Sequence, residues 1–228
     1  MQTTVLITGG SKGIGLAIAE KFLSNDCKVI TFSRTSGDAL SLKDKYGDLL
    51  DMRFGDLSKS DSVKKLCADV LADYPKIDVL VNNAGTFLPG SIQEEADGIF
   101  ELQMALNLAS AYHTTRAVLP AMGEGSYIFN MCSTASIVPY INGGSYCISK
   151  HAMLGFSKVL RQELMTKGIA VSSILPGATR TESWNGTDLP DSRFMKPENV
   201  ANVIFLAWES RGNCVFEELL IRPVLGDI

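Results

Sequence analysis

No apolar run in the chain approaches the ~20 residues that a membrane-spanning helix needs. There is no CxxC pair. The five cysteines (Cys27, Cys67, Cys132, Cys147 and Cys214) are an odd, scattered set. That argues against a disulfide framework and reads as free thiols in a reducing compartment. Histidine is scarce, with only His113 and His151. Cys132, Cys147 and His151 match no zinc spacing, so no metal is expected. Positive charge is not in excess. Lys and Arg number 21 against 25 Asp and Glu, a net charge of -4 that offers no attraction for nucleic acid or an anionic membrane. Met1-Gln2-Thr3-Thr4 has no basic n-region before the first apolar stretch, so a cytoplasmic location is expected. There is no repeat, linker or low-complexity tract, so one domain over residues 1–228 is expected.

What the sequence does have is alternation. Short apolar runs alternate with helix-period segments, which predicts an α/β fold: a single-domain, doubly wound, Rossmann-type parallel sheet with helices on both faces. Strands are expected at 5–7, 28–33, 52–54, 79–81, 127–129, 171–175 and 217–222. Helices are expected at 15–23, 58–72, about 97–122, 145–166 and from Pro197, with Ser58 or Ser60 capping the second. The charge pairs between Asp38 and Asp48 read as a solvated helix face. In such sheets ligands sit beyond the carboxyl ends of the strands. Gly9, Arg34, Asp56, Asn83, Ser133 and Pro176 each follow a strand, so they should share one edge.

Two clusters on that edge carry chemistry. The first is Gly9-Gly10-Ser11-Lys12-Gly13-Ile14-Gly15 between strand and helix. Glycine tolerates positive φ and lets backbone approach a pyrophosphate, whose charge suits a helix N-terminus. The bland alternative is a tight turn with no ligand. The second strand ends Ser33-Arg34-Thr35, with a base and no acid. An acid there would hold a ribose 2′-hydroxyl, whereas a guanidinium suits a 2′-phosphate. Lys12 would add charge nearby, and Ser11, Ser33 and Thr35 hydroxyl donors. The second cluster is Tyr146 and Lys150, four apart on one helix face, thirteen and seventeen residues after Ser133. An ammonium beside a phenol should lower its pKa from about 10.

Thr8-Gly9 through Gly13 and Gly15, Asn82-Asn83-Ala84-Gly85, Asn107 with Ser133, Tyr146 and Lys150, and Pro176-Gly177 through Thr181 follow in order over most of the chain. In this the sequence resembles the short-chain dehydrogenase/reductases. The resemblance implies an oxidoreductase in which Tyr146 is the general acid/base, Ser133 holds the reacting oxygen, and Lys150 also holds the nicotinamide ribose. It implies that Asn107 holds a water joining Lys150 to solvent. It places Asp56 and Leu57 at the adenine, Asn83, Ala84 and Gly85 near the ribose, and Pro176, Gly177, Thr179 and Thr181 by the nicotinamide and phosphates.

The expected cofactor is NADP, and the expected substrate a small carbonyl or alcohol compound. An NAD-dependent alcohol dehydrogenase of the same family is the alternative. A non-catalytic NADP-binding redox sensor would be expected to lose Tyr146 or Lys150, and both are present. Glu182 to Lys196 is short for the family's substrate loop and is expected to form a lid. Ser91, Ile92, Val138, Tyr140, Ile141, Trp184 and Phe194 are its candidate pocket residues. The helices through Asn107 and Tyr146 look apolar on several sides, through Ala105, Leu106, Leu108, Ala109, Ala111 and Tyr112 in the first and Ala152, Met153, Leu154, Phe156, Val159 and Leu160 in the second. That predicts a homodimer or homotetramer.

Overall fold

The computed structural model describes residues 2–228. The strands are β1 Thr4–Thr8, β2 Lys28–Ser33, β3 Leu50–Phe54, β4 Val79–Asn82, β5 Tyr127–Met131, β6 Ala170–Pro176 and β7 Glu218–Ile221. They form one parallel sheet in the order β3-β2-β1-β4-β5-β6-β7. The order reverses between β1 and β4, and there the carboxyl ends open a crevice. The strands are near-continuous runs of buried residues, because a parallel sheet is covered on both faces.

Helix α1 (Gly13–Leu23) and helix α7 (Pro197–Glu209) cover one face. Phe22 of α1 meets Phe205 of α7 edge to face at 5.2 Å over Val5, Val29 and Val81. Helix α2 (Ala39–Tyr46) lies at the margin of that face and buries Ala39 and Leu42, with its charges outward. Helices α3 (Ser60–Asp73), α5 (Ser110–Val118) and α6 (Gly144–Leu164) cover the other face, over Leu6, Leu80 and Ile128.

Two helical expectations are corrected. Neither Ser58 nor Ser60 caps α3: the N-cap is Lys59, and the Ser58 hydroxyl donates to Asp56 Oδ1 at 2.7 Å. The single helix expected from 97 to 122 is three pieces: α4 (Ile99–Met104), a π-helical turn Ala105–Ala109, then α5. Asn107 sits mid-turn, and such widened turns frequently mark functional positions.

Candidate active site

The glycine run folds as a cradle with no room for side chains. Gly9 and Gly13 have φ of 72° and 57°, accessible to glycine at little cost. A Cβ on Gly15 would lie 2.2 Å from the Gly9 carbonyl oxygen. The loop after β4 locks this cradle. Asn83 Nδ2 donates to the Thr8 and Gly9 carbonyls, both at 3.0 Å, and Thr8 Oγ1 accepts the Asn83 and Ala84 N–H groups at 3.0 Å. Ile14 follows Gly13 into α1 and packs against the core. This bare backbone at a helix start has the shape that a dinucleotide pyrophosphate requires.

Arg34 is exposed at the end of β2 and makes no ion pair within 4 Å among the described residues. Lys12 differs from expectation. Its ammonium is paired with Glu182, so its charge is already compensated from the far side of the cleft. Both are exposed long side chains with freedom to separate. Ser33 Oγ is turned inward onto the Thr35 carbonyl at 2.7 Å, while Ser11 gives its carbonyl to the Asp38 N–H at 3.0 Å. Asp56 is held ionised by Ser58, whose hydroxyl and N–H both donate to it, with Lys59 and Arg34 adding attraction. Leu57 is buried beside it.

The Ser, Tyr, Lys and Asn converge. Ser133 begins a short turn after β5, and its hydroxyl accepts the Ala135 N–H at 3.1 Å on the side where Tyr146 feels its influence. Lys150 is buried one helical turn beyond Tyr146, with Nζ 5.8 Å from the tyrosine ring centroid. It donates to the Met131 carbonyl at 2.8 Å. Gly85 closes the group: a Cβ there would come within 2.9 Å of Asn107 Oδ1 and 3.8 Å of Lys150 Nζ.

The electrostatics run opposite to the expectation for the tyrosine. Burial pushes the Tyr146 phenol up to about 12, and the Ser133 hydroxyl offsets only part of that. Burial also pushes Lys150 down to about 8. Desolvation is the largest influence on both groups, and the ammonium hydrogen-bonds the Met131 carbonyl.

Asn107 is almost fully buried. Its Oδ1 accepts the Thr86 N–H at 2.7 Å, and its Nδ2 donates to the Thr86 carbonyl at 3.0 Å and to Ser149 Oγ at 2.9 Å. Pro176 ends β6, and Gly177 N–H donates to the Ile221 carbonyl at 2.8 Å. Thr179 is buried and bridges to Met195, while Thr181 lies against Gly13.

The pattern of the short chain dehydrogenase family matches residues 3–190. The chain belongs to the short-chain dehydrogenase/reductases. This short-chain dehydrogenase is 30% identical to a sepiapterin reductase of Chlorobaculum tepidum over all of this chain and 99% of the relative. It is 31% identical to a D-beta-hydroxybutyrate dehydrogenase of Cupriavidus necator over 76% of this chain and 69% of the relative. Among solved structures, an L-sorbose reductase of Gluconobacter frateurii complexed with NADPH and L-sorbose shares 29% identity. It superposes with a TM-score of 0.88 over 97% of this chain and 95% of its own. A Burkholderia cenocepacia short chain dehydrogenase in complex with NADP gives 0.89 at 25% identity, over 97% of this chain and 96% of its own. The short-chain dehydrogenase is thus an oxidoreductase acting on ketone or alcohol groups. Among its described residues no helix is long and apolar enough to cross a membrane, and no three His, Cys, Asp or Glu gather as a metal site.

Of the expected pocket residues, Trp184 and Phe194 pack together at 5.1 Å, and Phe194 is buried. Ile92, Val138, Tyr140 and Ile141 are exposed, Ile141 at 91%. Sequence reasoning missed Phe87, whose ring meets Tyr146 edge to face at 4.8 Å. Its place two residues after the Asn-Asn-Ala-Gly motif was the one available signal.

Proposed function

We propose that this chain is an NADP(H)-dependent carbonyl reductase in which Tyr146 is the general acid. The observation that carries the reading is the buried Lys150, with Nζ 5.8 Å from the Tyr146 ring, and Ser133 opening the turn after β5, on the sheet edge that holds the glycine cradle. NADPH, when bound, supplies hydride to the substrate's carbonyl carbon. Tyr146 gives its phenolic proton to the carbonyl oxygen as that hydride arrives, leaving an alcohol. Ser133 hydrogen-bonds the same oxygen as charge builds on it. Lys150 stabilises the phenolate left behind and holds the nicotinamide ribose. Asn107, anchored to Thr86, keeps the turn beside Lys150 in shape and supports a water there. A phenol raised to about 12 keeps its proton at neutral pH, the form that reduction needs. Gly9 to Gly15, Asp56, Leu57, Asn83 to Gly85, Pro176, Gly177, Thr179 and Thr181 form the cofactor surface, and 182–196 the lid, in one domain spanning 1–228. The relatives' names, sepiapterin reductase and L-sorbose reductase, support a carbonyl substrate. An NADPH absorbance screen over ketones, aldehydes and 3-oxoacyl thioesters tests the reading. Absence of turnover with every class would overturn it.

Cofactor choice rests on Arg34. With Lys12 engaged by Glu182, Arg34 is the cation at the end of β2 that makes no ion pair within 4 Å among the described residues. NADPH should be preferred over NADH, and Arg34→Asp should reverse or flatten that preference. The expected loss is about 1.5–3 kcal/mol in NADPH binding, the scale of hydrogen bonds to a charged group. Equal use of both cofactors by the wild type would favour the NAD-dependent alternative.

Assembly is the next expectation. Met153, Leu154, Leu160 and Ala111 turn out to be buried within the chain, which narrows the apolar surface first read from the two helices. Leu102, Tyr112, Ile148 and Val159 remain exposed, Val159 at 56%. We expect these helices to pack against a second copy, giving a homodimer or homotetramer. Light scattering at micromolar concentration should give two or four times the 24.6 kDa chain mass; a single-chain mass would refute it.

A further inference from the structure

The segment Thr86-Phe87-Leu88 follows the cradle-locking loop and belongs to no strand or helix. Backbone in such a segment must find partners elsewhere. Here two side-chain amides from one helical stretch supply them. Asn107 accepts from the Thr86 N–H at 2.7 Å and donates to its carbonyl at 3.0 Å. Gln103 does the same for Leu88, accepting its N–H at 3.3 Å and donating to its carbonyl at 3.2 Å. Each amide thus closes the two-bond ring that a neighbouring strand would make. Both are buried, Gln103 at 0% and Asn107 at 1% exposure. Gln103 is four residues before Asn107, so the two amides share one helix face. A buried glutamine is costly unless bonded, and the hydrogen bonds of its side chain go to this one segment.

Phe87 is the residue between the two clamped positions. Its ring stands edge to face on Tyr146 at 4.8 Å and 69°. On its other side Trp184 lies at 6.3 Å, tilted by 35°, and Trp184 meets Phe194 at 5.1 Å. An aromatic wall therefore runs from the proton donor to the lid, and the clamp fixes its first panel. At the lid end the Arg180 guanidinium lies 5.0 Å from the Phe194 ring centroid and pairs with Asp191, while Lys12 pairs with Glu182.

We propose that Gln103 is a positioning residue and Phe87 a specificity-determining residue. Clamped on both sides, Phe87 shapes the substrate slot beside Tyr146 for carbonyl groups borne on a flat, conjugated ring. This rests on the carbonyl-reductase reading above. Offset and edge-to-face stacking favours flat rings, and a puckered saturated ring of the same size gains only apolar burial.

The test uses two ketones with the same methyl carbonyl, acetophenone and cyclohexyl methyl ketone. Each is measured in two ways: kcat/KM with NADPH, and binding to the protein–NADP+ complex by calorimetry. The wild type should favour acetophenone in both. Phe87→Leu should lower that preference by about three- to tenfold, the weight of an aromatic pair, mostly through KM. Gln103→Leu should lower it in the same direction with NADP+ affinity unchanged. If Gln103→Leu does not fold, Gln103→Asn, one methylene shorter, should show a smaller shift of the same sign. A preference that is absent in the wild type, or unmoved by Phe87→Leu, overturns the proposal even where turnover is normal. A binding preference that shifts as described upholds the role of Phe87 even with no turnover of either ketone, and the carbonyl-reductase reading then falls only if the wider NADPH screen also finds none.

Discussion

Tyr146→Phe is expected to lower kcat for carbonyl reduction by about 10² to 10⁴, the range for loss of a positioned general acid. NADPH affinity should be nearly unchanged, because none of the contacts that shape the glycine cradle involves Tyr146. The substitution removes one oxygen and leaves the ring that packs on Phe87, so the aromatic wall should persist. The loss should fall on kcat more than on KM, as for an interaction made only as the proton moves. Single-turnover reduction followed by NADPH absorbance, beside an NADPH fluorescence titration, reads the two quantities apart. Turnover equal to wild type would remove Tyr146 from the mechanism. Equal loss in NADPH binding would mean that the ring had been displaced.

Much of this arrangement was legible before any coordinates. Strand ends placed Gly9, Arg34, Asp56, Asn83, Ser133 and Pro176 on one edge, and the observed parallel order puts them there. Parallel strands advertise themselves as buried apolar runs, and the glycine loop has a local steric requirement, so both speak through short-range sequence. What the sequence hid depends on distant partners. Lys12 and Glu182 are 170 residues apart, and nothing near Lys12 announces the acid that compensates it. The π-helical turn at Asn107 has no periodicity signature over five residues. Gln103 and Phe87 gain meaning only through contacts across the loop. The tyrosine expectation failed for a physical reason. Four-residue spacing shows that an ammonium and a phenol are neighbours, but it says nothing of how much water both have lost. In the folded chain that loss decides the direction.

Lys150→Ala should therefore change the pH profile as well as the rate. In the wild type the ammonium is present below about 8 and is lost as pH rises through that value. The phenol, raised to about 12, keeps its own proton across the same range. Reduction should then fall along an alkaline limb near pH 8, set by the Tyr146–Lys150 pair titrating together and not by either residue alone. Below that limb the charged lysine favours departure of the phenolic proton, because it stabilises the phenolate that remains. Removing the amine removes the group that titrates near 8. It also leaves the phenolate with no cation close by and opens a gap beneath the tyrosine. Turnover should drop by about 10² or more, since the phenolate left as the proton departs loses its stabilising cation. The alkaline limb of the residual activity should move up by at least about 2 pH units, towards the value of an unassisted buried phenol. NADPH affinity should fall as well, through the lost contact to the nicotinamide ribose, so the rates must be measured at saturating cofactor. Profiles of kcat from pH 6 to 11 for both proteins decide the matter. An unchanged apparent pKa at lowered activity would show that Lys150 serves cofactor binding alone, and that Tyr146 works without electrostatic help from it.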